Sequence, residues 1–361
     1  HESKGVSDMP DWTKPMQQTY EYYIVDPATW RDTERLMNVK MGATISRDAD
    51  ADTLGSASFD LSESIGECYI RTYLVTIQNG IREWFPLGTH MVQTPSEEFD
   101  GKAKSVSVDA YTPLIELKEN PPPLGFSIRK GEPIMDNVCS LTKSHARAPV
   151  IECTDNKKLE VDFVSNTDDN WLTFLKDLSS NAKYEYELDD LGQICFRPVQ
   201  DVTALQPVVI FDDSNSSILL PSITISRDLY GIPNVVEILY SGNNLTYQTR
   251  VVNNDPNSPI STVNRGREII RRVTNPSLTG NPTKAQIDEY ARQLLKTLST
   301  LEYTVSYSHG YYPVRVGDCV LLNYERAGIL NQKAKIISQS IKCTTGCVVT
   351  EKAIYTNSLW G

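Results

Sequence analysis

Tyr69-Ile70-Arg71-Thr72-Tyr73-Leu74-Val75-Thr76-Ile77-Gln78-Asn79-Gly80-Ile81-Arg82-Glu83-Trp84-Phe85 decides the fold class. Two runs of aromatic and β-branched residues, Tyr69–Ile77 and Ile81–Phe85, flank an Asn-Gly pair. Both residues tolerate positive φ, which a two-residue hairpin turn demands, so this is the strongest short-range hairpin signal a sequence can carry. Working outward, strand-like runs recur at Tyr20–Val25, Val39–Ser46, Ala57–Leu61, His90–Thr94 and Lys104–Ala110. The first of these is closed by Asp26-Pro27. So many short strands divided by turn chemistry predict a small antiparallel barrel or sandwich.

Pro121-Pro122-Pro123 ends that texture as a stiff connector. The period then becomes helical. Ile134, Val138 and Leu141 form one stripe and Trp171, Phe174, Leu175 and Leu178 a second. Asp168 and Asp169 are expected at the second helix's N-terminus, where carboxylates meet free N–H groups. A hairpin is predicted from Tyr184–Leu188 and Gln193–Arg197 around Asp189-Asp190-Leu191-Gly192. Strands return at Val208–Phe211, Ile218–Leu220, Ile223–Ile225 and Asn234–Tyr240, while Ser241–Asn281 reads as long excursions rich in Asn, Pro, Ser and Thr. Thr283 and Gln286 make a capping box, followed by one apolar face of Ile287, Tyr290, Ala291, Leu294, Leu295 and Leu298. Four further strands are read at Leu301–Tyr307, Cys319–Tyr324, Lys333–Lys342 and Val348–Thr356.

The expected architecture is mainly β with α+β parts: two small antiparallel β-barrels flanking an α/β domain, plus an inserted helical segment. In residue numbers these are an N-terminal arm at 1–19, a first barrel at 20–118, an α/β domain at 119–204, a discontinuous second barrel at 205–240 and 302–357, and the insertion at 241–301.

The chain has 361 residues, with 35 Lys and Arg against 46 Asp and Glu and a formal net charge of −11. That balance argues against a duplex-DNA-binding domain, which needs a basic surface. No apolar run approaches the length of a membrane-spanning helix. His1–Gln18 is polar and lacks the core of a secretory signal, although the chain begins at His and not Met. Seven cysteines, an odd number without framework spacing, point to synthesis in a reducing cytoplasm rather than a disulfide-stapled scaffold.

Chemistry-bearing residues are sparse. Asp48, Asp50 and Asp52 alternate like a calcium loop, but Thr53 stands where that loop needs Gly and Phe59 where it needs Glu, so a solvated turn is expected. Cys343 and Cys347 have metal-compatible spacing without a second pair, and Cys195 and Cys319 sit in strand-like runs as small hydrophobes. His1, His90, His145 and His309 show no ligand spacing, and Ser308-His309-Gly310 is a strand-end turn rather than a nucleophile elbow. The paired carboxylates Glu97-Glu98 and Asp189-Asp190 read as solvated turns. Arg265, Arg267, Arg271 and Arg272 form the main basic cluster, better suited to interface ion pairs than to nucleic acid. No catalytic, cofactor-binding or metal residue is assigned, and no cofactor or metal is expected.

Several phrases in sequential order resemble the baseplate hub proteins of tailed bacteriophages, a superfamily shared with contractile injection and type VI secretion spikes. They are Tyr20–Pro27, Ala57–Leu61, the Asn79-Gly80 hairpin and Pro86-Leu87-Gly88-Thr89 for a first barrel. Trp171–Leu175 followed by Gly192-Gln193-Ile194-Cys195-Phe196-Arg197-Pro198 matches the α/β domain, and Ile232–Val236 the opening of a second barrel. Tyr290–Leu298, Tyr303–Tyr307, Pro313–Val320 and Lys335–Lys342 match its closing helix and strands. The resemblance implies a non-enzymatic homotrimer that joins the tail tube to the tip and adapts symmetry around the DNA channel. Its implied partners are a distal tail or tail tube protein above and a tip, spike or fibre protein below, with no specific nucleic acid and no membrane insertion. The implied location is the virion tail tip, assembled in the host cytoplasm. Some such hubs continue into a lysin or fibre region, and with Trp360-Gly361 ending the chain none is expected here. Two other readings stand beside it: a carbohydrate-binding surface β-domain protein, and a peptidoglycan-degrading tail hydrolase whose carboxylates converge only in three dimensions.

Overall fold

The structure, a computed structural model, describes residues 9–99, 101, 104–242, 245–276, 278 and 282–360. It is mostly β, with 46% strand and 15% helix. The first block holds β1 (Gln17–Asp26), β2 (Arg31–Leu36), β3 (Thr44–Asp48), β4 (Gly55–Leu61), β5 (Tyr69–Gln78), β6 (Ile81–Phe99) and β7 (Lys104–Tyr111). The predicted hairpin is β5–β6, paired from Gln78 opposite Ile81 to Tyr69 opposite Met91. Its turn residues Asn79 and Gly80 take φ of 52° and 80°, the left-handed geometry that favours these two residue types. Leu87 is an extra residue between Pro86 (opposite Tyr73) and Gly88 (opposite Thr72), a bulge that bends β6. The strands order as β4-β7-β6-β5-β1-β2. On β4, Ala57, Phe59 and Leu61 turn inward while Ser58 and Asp60 face out, the period-2 pattern of a half-buried strand.

The middle of the chain runs through α1 (Ile115–Lys118), β8 (Ser127–Ile128), α2 (Ile134–His145), β9 (Phe163–Val164), α3 (Trp171–Asn181), β10 (Tyr184–Leu188) and β11 (Ile194–Pro198). Both helical stripes are present. Trp171, Phe174, Leu175 and Leu178 of α3 are buried together with Ile134 and Val138 of α2 in one core. The cap of α3 is not Asp168 or Asp169 but Asn170, whose Oδ1 accepts from the Thr173 N–H at 2.9 Å. Asp169 instead accepts from the Asn166 N–H at 2.7 Å, tightening the preceding turn.

The remainder comprises β12 (Pro207–Asp212), β13 (Leu219–Arg227), β14 (Val235–Gly242), β15 (Leu245–Val252), α4 (Thr262–Arg265), β16 (Ile270–Thr274), α5 (Lys284–Leu298), β17 (Thr300–Gly310), β18 (Cys319–Tyr324), β19 (Ile329–Lys342) and β20 (Val348–Ser358). By contact density the chain divides into one unit of His1–Ile223 with Tyr307–Lys352 and another of Thr224–Ser306 with Ala353–Gly361. In the first, β3 pairs with β4 on one side and with β19 on the other, Ile45 facing Ile341. The early and late β-blocks therefore share one sheet, continued from β19 to β18 and then by a parallel pairing to β12.

In the second unit β15-β14-β16 form a three-stranded sheet. The segment read as excursions thus supplies two strands, because its alternation of Val, Tyr and Leu with polar residues is diluted by Asn and Thr. Helix α5 begins with the predicted capping box and lays Ile287, Ala291 and Leu295 on Val236, Ile238 and Tyr240. Leu294, read as part of the same face, is only half-buried.

Candidate functional site

The candidate residues scatter. Asp48, Asp50 and Asp52 lie in the turn between β3 and β4: Asp48 Oδ1 accepts from the Asp50 N–H at 3.0 Å, and Asp52 pairs with Lys118 at 2.7 Å. Cys343 and Cys347 are buried free thiols whose pKa values burial pushes up, that of Cys347 to about 11. Protonated thiols are poor ligands and poor nucleophiles. Among the described residues no three His, Cys, Asp or Glu side chains converge as a metal set. Two of the four clustered arginines are satisfied within the chain. Arg265 donates to the carbonyls of Ile232 (2.8 Å) and Leu229 (3.0 Å), and Arg272 pairs with Glu237 at 2.7 Å.

What the structure does assemble is a charged seam. The turn of hairpin β10–β11 meets the first block through the Leu191 carbonyl as well as through Asp190. The carbonyl accepts from Trp30 Nε1 (2.9 Å), Thr89 Oγ1 (2.8 Å) and Arg71 Nη2 (3.1 Å). Gly192 sits at φ 75° beside this contact, and a Cβ there would stand 2.7 Å from Thr89 Cβ. Arg197 forks onto Glu187 at 2.6 and 2.9 Å and reaches Asp318 at 3.4 Å. Arg47 pairs with Asp190 at 3.1 Å, and Lys335 with Glu185 at 3.1 Å. The hairpin is thereby tied to β3 on one flank and to the segment around β18 and β19 on the other.

Behind Arg47 the seam continues into the core. Arg47 Nη1 donates to Gln339 Oε1 at 3.2 Å, and Gln339 Nε2 to Glu351 Oε1 at 2.6 Å. Glu351 also accepts from Tyr307 Oη at 2.5 Å, and His309 Nε2 lies 3.2 Å away, outside hydrogen-bond geometry. Sequence reading missed these groups because their partners lie up to 292 positions apart. One local signal was available: Glu187 and Arg197 fall on one hairpin ten positions apart.

The seam borders a cavity of about 450 Å³, lined among others by Arg47, Leu87, His90, Lys183, Glu187 and Arg315. His90 on β6 is only 3% exposed, and its Nδ1 has no hydrogen-bond partner. Burial, with a smaller contribution from Arg47, lowers its pKa to about 3, so the ring is neutral. A second surface is apolar and open. Strand β12 pairs with β18 alone among the described strands, and its Val208 and Ile210 are 53% and 61% exposed.

No family model and no curated protein matches the sequence. Solved structures do match the fold. A tail protein from Neisseria meningitidis MC58 is similar over 95% of this chain and 98% of its own, at TM-score 0.59 and 11% identity. A 43 kDa tail protein of prophage MuSo2 from Shewanella oneidensis covers 93% and 98%, at TM-score 0.59 and 12% identity. The fold is a tail or baseplate hub-like one. A Francisella PdpA–VgrG complex is similar at TM-score 0.54 and 8% identity, over 96% of this chain and 53% of that one. At these identities the likeness is one of fold.

Proposed function

We propose that this chain is a structural protein of the virion tail tip, a homotrimeric baseplate hub that joins the tail tube to the tip. The observation that carries the reading is the similarity in fold to tail proteins along nearly the full length of both chains. In this reading each β-block is a barrel-like module, and three chains supply six modules, matching a six-fold tube while presenting three-fold symmetry to the tip. The open strand β12, with apolar residues outward, supports it, since an edge of that kind is normally covered. A tube protein would lie above, a spike or fibre protein below, and DNA would pass through without specific contact. A net charge of −11 suits a wall that does not hold phosphate. The chain itself is proposed to carry no hydrolytic activity.

Imaging of the assembled particle tests this. Three copies per ring, with both β-blocks around the channel, are expected. Six copies, or one β-block at the channel, would overturn the symmetry-adaptor role. Release of muropeptides from cell walls by the purified chain, abolished by one Asp or Glu substitution, would overturn the non-enzymatic reading.

A further inference from the structure

In the second unit the loop before β14 is fastened to the segment between α4 and β16. Asn234 is fully buried: its Nδ2 donates to the carbonyls of Ile260 (3.1 Å) and Arg267 (3.0 Å), and its Oδ1 accepts from the Ile269 N–H (2.7 Å). Arg265 commits its guanidinium to the Leu229 and Ile232 carbonyls, on either side of Tyr230. The Tyr230 N–H donates to Asp228 Oδ1 at 2.7 Å, and Gly231 turns the chain at φ 72°. The loop is thus braced along its backbone, yet the side chain it displays, Tyr230, is 92% exposed. Val263, two residues before Arg265 on α4, is 61% exposed. Arg267 is exposed as well, and its side chain makes no hydrogen bond or ion pair among the described residues. Its charge is felt by Arg265, whose pKa is lowered by burial first and by Arg267 second. Between Thr224 and Asn275 six arginines stand against four carboxylates, in a chain whose net charge is −11.

We propose that Tyr230, Val263 and Arg267 form a docking surface for an acidic segment of a partner protein. The Tyr230 ring is the anchor, Val263 adds apolar contact, and Arg267 receives an Asp or Glu side chain of the partner. Bracing the loop beforehand removes an ordering cost that binding would otherwise carry. Tyr and Arg are also the residue types in which binding energy concentrates at protein interfaces. Charge selects the occupant: a carboxylate relieves the local excess of arginine and the repulsion between Arg265 and Arg267. Nucleic acid fits less well, since it calls for a broad basic face. The chemistry of the partner follows from the patch alone; its membership of a tail particle rests on the function proposed above.

Photocrosslinking in assembled tail particles tests it, with p-benzoylphenylalanine in place of Tyr230 in the full chain. Immunoblotting measures incorporation of the chain separately, and mass spectrometry locates the adduct. The expected product joins position 230 to another protein of the particle, on a segment that carries Asp or Glu beside the adduct. Arg267→Glu should lower the adduct yield per incorporated chain at least about fivefold, because it sets like charges together, while Arg267→Lys should keep most of it. Exclusion of Arg267→Glu from the particle at an unchanged melting temperature would support the surface equally. An incorporated chain that gives no adduct overturns the proposal, as does an adduct only with DNA or only with a second copy of this chain. So does a yield that Arg267→Glu leaves unchanged. If the label at 230 prevents folding, the same label at Val263 decides by the same outcomes. Absence of the chain from particles overturns the tail role and this partner together, whereas presence without an adduct overturns the docking surface alone.

Discussion

Glu351 has no solvent exposure, yet it is supplied with donors from Tyr307 and Gln339. A buried carboxylate is tolerated only while hydrogen-bonded, because its desolvation is otherwise uncompensated. Gln339→Ala removes one of those donors and also the link to Arg47, so it should cost at least about 2 kcal/mol in denaturant melts. A loss under about 0.5 kcal/mol would show the carboxylate satisfied by other means. His90 gives a second expectation at this scale. Its folded pKa of about 3 lies below the usual 6.5, so the unfolded chain takes up a proton that the folded chain refuses. The stability this imidazole contributes is intact above pH 6.5 and is lost as pH falls from there toward 3. Relative to His90→Gln, the native chain should lose about 1.4 kcal/mol per pH unit across that window. Equal acid slopes for the two proteins would mean that His90 is hydrated in the folded state. Neither group stood out in the sequence, where a lone His and a lone Glu carry no spacing signal.

At the scale of elements the sequence is far more legible. The Asn-Gly hairpin, the α3 stripe and the capped helix α5 rest on contacts within one segment, and each lies where local chemistry puts it. The misreadings are equally physical. Asn170 outcompeted two acidic neighbours for the cap because it alone stands at the position whose side chain reaches the third N–H. Leu294 and Leu295 are indistinguishable as letters, and only the sheet beneath α5 selects between them. Leu295→Ala should therefore cost about 2–5 kcal/mol and Leu294→Ala at least about 1 kcal/mol less. Thermal melts of the two variants compare them, and equal losses would put α5 in a different rotation. The charged seam was illegible for another reason: apart from Glu187 and Arg197 on one hairpin, its pairs join elements far apart in the chain, and no local window contains both partners.

For the whole molecule, the open β12 edge makes the sharpest expectation. Ile210→Lys adds a charge to an outward position on an edge, the device by which natural sheets discourage pairing. Folding stability should change by less than about 0.5 kcal/mol, as for other exposed sites. Incorporation into the assembled particle should fall sharply, measured by the amount of chain that co-sediments with it. Normal incorporation would show that β12 stays open in the assembly.

The pairing of β3 with β19 also sets a timetable. Arg47 and Gln339 are neighbours across it although 292 residues separate them. On a ribosome adding about 5–20 residues per second, β3 is complete roughly 15–60 s before the strand that will lie beside it exists. Over that interval the nascent chain carries a sheet with one flank unsealed. Closing so long a loop late is slow, and the waiting species is exposed to wrong neighbours. Two charged residues at its end, Arg47 and Asp48, give the short strand some protection while it waits. A chain cut short before Ile329 would never leave that state, so ribosome stalling or proteolysis late in the message should yield aggregates or chaperone-bound material instead of a stable amino-terminal half.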